Sequence, residues 1–376
     1  MPAKHAEGQP QCYNWSQMIT NPSTKREAVL YEPMPGGKVR CNVCHWRCAI
    51  PNGAFGVCRM RRAVDGRIEL YNYPGVASAN NDPVEKKPLF HFFPGSACLS
   101  LGSWGCNFHC KHCQNWEISF ASPEDAQRLS HDLPPADAVT LARRLGSQGM
   151  AFTYNEPSIW LEYALDCARL AKEAGLYTVF VTNGFSTREA LDLIGPYLDA
   201  FRVDVKGFSD AFYRDLAKVG RWRDVLDSTR YAREHWDMHV EVVTNIIPTM
   251  NDDDAQLTAI ARWVRDDLGP ATPWHVTAFH PHHKLAHLPS TPVETLDRAI
   301  DIGRGEGLLF VYPGNVFGHP DENTRCPRCQ TIVISRAGYQ TRLRALTADG
   351  RCAGCGADLN IRTIAYQRRL PVSAAR

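Results

Sequence analysis

"LSLGSWGCNFHCKHCQNW", residues 99–116, runs from a short β-rich stretch into a loop carrying three closely spaced cysteines. Cys106, Cys110 and Cys113 are separated by three and two residues. Three thiols are one short of a closed zinc site. The spacing suits three corners of a cubane iron–sulfur (4Fe–4S) cluster, with one iron left open to an external ligand. The competing reading is a zinc site completed by His109 or His112.

The context outside the loop weighs toward the open cluster. Residues 97–102 are the first of seven β-rich runs; the others are 149–157, 176–184, 199–207, 238–248, 274–281 and 308–312. Helix-length segments lie between them. In "SIWLEYALDCARLAKEAG", for example, apolar residues recur at three- and four-residue steps and Gly175 provides the stop. Serial βα alternation predicts a parallel sheet with crossover helices, either doubly wound or a full or partial barrel. The cysteine loop then sits at the C-terminal edge of the first strand, where such folds place their active sites. Residues 1–95 read as an irregular cysteine-rich region, 96–315 as the α/β core, and 316–376 as a small C-terminal module.

Composition excludes several classes. Over 376 residues, 44% are hydrophobic, 22% charged, and the formal charge is +2, which argues against disorder and against nucleic acid as a partner. No apolar run approaches the ~20 residues of a membrane span. The opening "MPAKHAEGQPQ" lacks the features of a secretory signal, so a reducing, cytoplasmic setting is expected. Eleven of the fourteen cysteines fall into tight groups, which is what metal centres demand and a disulfide framework does not. Cys12, Cys98 and Cys167 stand apart and read as buried or free thiols.

With its strand context, the three-cysteine stretch resembles the radical S-adenosylmethionine (SAM) superfamily. The resemblance implies a partial (β/α)6-type barrel. It also implies a 4Fe–4S cluster on Cys106, Cys110 and Cys113 whose free iron takes the amino and carboxylate groups of SAM. An electron donor reduces the cluster, SAM is cleaved to methionine and a 5′-deoxyadenosyl radical, and the radical abstracts hydrogen from a substrate, whether small molecule, peptide or protein. Residue by residue, His112 stands where many members have an aromatic beside adenine. "TYNEP" places Asn155 and Glu156 where members hold the SAM amino group, a role a carboxylate suits. "VTNG" with Asn183, and "DVKG" with Asp204 and Lys206, match strand ends that surround ribose and methionine. "TNIIPTMND" offers Ile246 or Ile247 to adenine. Blander readings exist: Glu156 as a carboxylate at a helix N-terminus, and Asp204 with Lys206 as a structural ion pair.

A closer resemblance, over about residues 38–360, is to the radical SAM enzymes of the AmmeMemoRadiSam system, whose core is similar to pyruvate formate-lyase activating enzymes. It rests on the N-terminal cysteines, "DPVEKKPLFHFFPG", "GCNFHCKHCQNWEIS", "VYPGNV" and the terminal cysteine knuckles. It implies association with a Memo-like protein and a further partner of that system, and it supplies no substrate.

Two more cysteine groups flank the core. "CPRC" and "CAGC" bring Cys326, Cys329, Cys352 and Cys355 into the spacing of a four-cysteine zinc ribbon, a structural site. Cys41, Cys44, Cys48 and Cys58 have irregular gaps and read as zinc, slightly favoured, or as an auxiliary iron–sulfur cluster. "FHPHHKLAH" offers His280 and His282 as substrate-facing groups, with a second metal or a solvated loop as alternatives. Three functions compete: a radical SAM enzyme modifying an unidentified substrate, an activase installing a glycyl radical on a partner enzyme, and a non-catalytic iron–sulfur or zinc sensor.

Overall fold

The computed structural model describes residues 26–363, so Cys12 lies outside the described residues. Its centre is an open sheet of eight strands: β1 (Ser78–Pro83), β2 (Ala97–Gly102), β3 (Gly149–Phe152), β4 (Tyr177–Thr182), β5 (Ala200–Asp204), β6 (His239–Ile246), β7 (Trp274–Ala278) and β8 (Val311–Gly314). They pair in chain order, and β2 through β8 are parallel. Six helices make the crossovers: α1 (Pro135–Arg144), α2 (Leu161–Glu173), α3 (Arg188–Ile194), α4 (Arg223–Trp236), α5 (Asp254–Trp263) and α6 (Val293–Gly305).

The sequence explains these elements. β4 reads YTVFVT and is buried at every position, as a strand covered on both faces requires. α2 buries Leu161, Ala164, Leu165, Ala168 and Ala171, one stripe at helical spacing. Asp253 caps α5 by accepting from the Gln256 amide. The runs at 149–157, 176–184 and 199–207 are shorter strands than their patterns suggested, because the residues beyond Phe152, Thr182 and Asp204 leave the ladder to build the site, and the last strand lies later than its run, at Val311–Gly314.

One boundary moved. β1 comes from the cysteine-rich region and runs antiparallel to β2 from Ser78 opposite Gly102 to Pro83 opposite Ala97, so a cut at residue 95 divides the sheet. Its sequence, SANNDP, is polar and ends in proline, which suits an edge strand and hides it from a search for apolar runs. The rest of that region is a three-stranded antiparallel sheet (Tyr31–Met34, Lys38–Cys41, Ala49–Ile50) and a hairpin (Arg61–Val64, Arg67–Leu70). The buried Arg61 guanidinium is paired with Glu162 of α2, fastening the hairpin to the core.

At the N-terminal edge of the sheet, the Glu241 carboxylate of β6 accepts four hydrogen bonds. Phe90 and His91 donate backbone amides at 3.0 and 2.8 Å, and His239 and His275 donate Nε2 at 3.0 and 2.7 Å. The His91 ring then reaches the Leu359 carbonyl at 2.9 Å and the Tyr312 hydroxyl at 2.6 Å. "KKPLFHFFPG" is thus a strap tying the C-terminal module to the sheet. Burial pulls the His91 imidazole from 6.5 down to about 3, with His239 and Arg336 adding to that and Glu241 opposing it. The neutral ring is the folded form, so its stabilisation is complete above pH 6.5 and is lost as pH falls toward 3. Urea unfolding should lose about 1.4 kcal/mol per pH unit below 6.5 from this group. In His91→Gln that slope should flatten; an unchanged slope would assign the acid sensitivity to other groups.

Candidate active site

The three-cysteine loop leaves the C-terminal end of β2 and is braced at its base by Asn155. That side chain accepts from the Ser103 amide at 3.0 Å and donates to the Gly105 carbonyl at 2.8 Å. Gly105 has φ +78°, and a Cβ there would stand 2.5 Å from the Cys58 carbonyl oxygen and 2.6 Å from Met60. Only glycine fits. Gly105→Ala should therefore lower stability by about 1–3 kcal/mol and reduce iron retention at the central cysteines. Iron analysis beside a urea titration checks this, and wild-type values in both would show that the loop tolerates the shift.

Further along, the Asn183 amide nitrogen donates to Asn107 Oδ1 at 2.7 Å, and the Phe108 amide to Cys106 Sγ at 3.4 Å. Cys106, Cys110 and Cys113 face one cavity of about 400 Å³, within the range of small-molecule sites. Of the residues expected at the site, His112, Asn155, Asn183, Asp204 and Lys206 line the same cavity. The His112 ring is buried and its Nδ1 lacks a hydrogen-bond partner. This orphaned group, with three thiols on one wall and open space opposite, fits a cluster-bound cofactor carrying polar groups.

The electrostatics fit too. Burial alone would raise the Asp204 carboxyl, yet Arg202 and Lys206 outweigh it and hold the group below its usual range. Arg202 lies 2.5 Å and Lys206 3.3 Å from its oxygens. Asp204 and Lys206 therefore form an ion pair and also line the cavity. Burial pushes the Cys110 thiol up to about 12 and raises Cys106 and Cys113 as well. Such thiols release their protons when a metal takes them as ligands. Burial, aided by Lys206, lowers His112 to about 3, so its ring is neutral.

Several expected residues stand elsewhere. Glu156 is fully buried beneath the strand ends and does not line the cavity. Its carboxylate accepts from the Ser158 amide at 2.9 Å, the Thr182 hydroxyl at 2.7 Å and the Asn183 amide at 2.8 Å. It positions Asn183 through that last bond. Ile246 and Ile247 are wholly buried, whereas Val243 and Asn245 line the cavity: strand alternation sends odd positions of β6 inward and Ile246 to the opposite face. His280 is exposed, at 3.3 Å from the Ser290 hydroxyl and 3.2 Å from the Asn315 carbonyl, and neither it nor His282 lines the cavity. Cys98 and Cys167 are free and buried, as expected.

Sequence reading missed one wall. Lys86, Lys87, Tyr154 and Arg202 also line the cavity. Tyr154 takes φ +71°, uncommon for a bulky residue, and its hydroxyl donates to Asp82 at 2.9 Å, the same carboxylate that binds Lys86 at 2.8 Å and Lys87 at 2.6 Å. The lysine doublet "KK" that opens the strap was visible, but nothing local indicated that it returns to the cysteine loop.

The C-terminal quartet is closed. The sulfurs of Cys326, Cys329, Cys352 and Cys355 lie within 4.8 Å of one another, with Cys326–Cys355 at 3.5 Å and Cys329–Cys352 at 3.6 Å. A tetrahedral zinc with bonds of about 2.3 Å requires sulfurs about 3.8 Å apart.

Comparison with known proteins agrees with the site. The sequence model of the radical SAM superfamily matches residues 103–260, the segment that holds the three-cysteine loop and strands β3–β6. The uncharacterized protein MJ0808 of Methanocaldococcus jannaschii is 39% identical over 337 residues, covering 89% of this chain and 99% of that one. The putative glycyl-radical enzyme activating enzyme MJ1632 of the same organism is 24% identical, covering 48% of this chain and 67% of that one. The pyruvate formate-lyase-activating enzyme of Clostridium pasteurianum is 23% identical, covering 48% and 76%. Among the described residues no helix is long and apolar enough to cross a membrane. The chain carries a radical SAM domain over residues 103–260, shares a family with MJ0808, and is homologous to glycyl-radical activating enzymes.

Proposed function

We propose that the protein is an enzyme that holds a 4Fe–4S cluster on Cys106, Cys110 and Cys113 and cleaves SAM reductively to start hydrogen abstraction from a substrate. The observation that carries this reading is the three-thiol wall, open on a cavity at the C-terminal edge of a parallel sheet. When bound, the cluster and SAM supply the electron transfer and the radical. The chain supplies placement. Asn155 and Asn183 hold the loop from both ends, Glu156 fixes Asn183, and the fully paired Asp204 presents Lys206 and Arg202 as fixed charges for the polar end of SAM. The neutral His112 ring offers a flat face for adenine. Cys326, Cys329, Cys352 and Cys355 hold a structural zinc in this reading.

Anaerobic reconstitution with iron, sulfide, reductant and SAM tests it: 5′-deoxyadenosine and methionine should form. A reconstituted cluster that forms neither would refute the enzyme. A second reading, glycyl-radical installation on a partner protein, is favoured by the activating enzymes among the relatives. A glycyl-radical EPR doublet on a candidate partner would select it. A Memo-like partner rests on the sequence motifs alone and is tested by co-purification.

A further inference from the structure

The two flanking cysteine groups each number four, and they differ in space as well as in spacing. Among the described residues only the C-terminal sulfurs lie mutually within 4.8 Å; no three sulfurs of the N-terminal group, or of the central one, draw that close. Cys41, Cys44, Cys48 and Cys58 instead surround one apolar cavity, walled also by Val43, Ile50 and Ile159. Its free space is about 10 Å³, room for one water-sized sphere. The interior of a zinc tetrathiolate admits no such sphere, because bonds of about 2.3 Å draw the sulfurs in to about 3.8 Å. A cubane cluster sets four irons and four sulfides between its thiolates and needs the wider frame.

The frame is built. The Cys41 amide donates to the Cys48 carbonyl at 3.0 Å, joining the end of strand Lys38–Cys41 to the residue before strand Ala49–Ile50, and Cys44 bridges to Ser186 beyond β4. Three of the four thiols are buried, and Arg61, whose guanidinium is held by Glu162, is among the residues around the cavity. The quartet also touches the central loop. Asn107 lines the N-terminal cavity while its neighbour Cys106 faces the central one, and Trp46 Nε1 donates to the Asn107 carbonyl at 2.7 Å. The Cys58 carbonyl packs against Gly105.

We infer that Cys41, Cys44, Cys48 and Cys58 hold a second 4Fe–4S cluster, fully ligated by cysteine, set against the backbone of the central three-cysteine loop. The inference does not depend on SAM cleavage. It is tested on the full chain carrying Cys106→Ala, Cys110→Ala and Cys113→Ala, reconstituted anaerobically. About four irons and four sulfides per chain should remain, with about one zinc from the C-terminal quartet. About two zincs and no iron would overturn it. The wild-type protein gives an independent reading should the triple variant not fold: about eight irons per chain are expected, against about four with two zincs if the site holds zinc. Adding Cys41→Ala and Cys58→Ala to the triple variant should remove the remaining iron, and iron persisting there would show adventitious binding and overturn the assignment. In the reduced wild-type protein, two neighbouring paramagnetic clusters should broaden each other's EPR lines; a simple sum of two isolated signals would refute their placement together.

Discussion

Cys106→Ala should bring 5′-deoxyadenosine formation down to the level of a no-enzyme control, with the fold intact. Cys106 is one of only three thiols on the cavity wall, and no carboxylate among the cavity-lining residues other than Asp204, already bound to Arg202 and Lys206, stands ready to replace it. The loop itself is held by Asn155 and Asn183, whose contacts run to Ser103, Gly105 and Asn107 and survive the substitution. Far-ultraviolet circular dichroism and the urea midpoint should stay near wild type while iron falls by about four per chain. Turnover retained above background would mean that another centre performs the chemistry. The same experiment on Cys326→Ala should instead lower stability and release zinc, because that quartet flanks the separate C-terminal sheet of Ile332–Ala337 and Gln340–Leu343.

Glu241→Ala should cost about 3–5 kcal/mol of stability, the largest loss expected from any single substitution outside the cysteine groups. Two backbone amides and two imidazole nitrogens converge on its carboxylate, all buried, and alanine leaves the four donors without an acceptor. The folded state keeps this carboxyl ionised far below its ordinary range: burial opposes that, and the donated hydrogen bonds from His239 and His275 overcome it. Its contribution is present above the ordinary carboxylate pKa of 4.5 and is lost only at strongly acid pH. Glu241→Gln retains one acceptor oxygen and should lose less. Urea unfolding at neutral pH decides: a loss below about 1 kcal/mol for alanine would show that the strap is held by its aromatic packing, with Phe90 on His275 and Phe92 on Tyr177, and not by the carboxylate.

The path from sequence to structure can be followed at particular residues. The spacing of Cys106, Cys110 and Cys113, placed after an apolar run, located the site because ligand convergence is a local property of a short loop. The seven β runs were legible for a similar reason: buried parallel strands are continuous apolar stretches with helical periodicity between them. Asp204 and Lys206, given by the family resemblance, do line the cavity. The same resemblance gave Glu156 and Ile246 to the cofactor by their place in matching motifs, and sequence position does not say which face a side chain takes. Phase along the strand gave Val243 and Asn245 to the cavity, and Thr182, Ser158 and Asn183 captured the Glu156 carboxylate. The strap residues Lys86 and Lys87 reach the cavity only because polar β1 pairs along β2.

By itself, then, the sequence determined the parallel α/β architecture and the three-thiol centre, since both depend on short-range periodicity and spacing. Tertiary structure alone decided what surrounds that centre and how the quartets differ. Cys41 and Cys58 are 17 residues apart, and which sulfurs approach within 4.8 Å depends on how separate strands pack, not on the gaps between cysteines. Two groups of four cysteines become a tight frame at one end and a wider, apolar one against the central loop at the other.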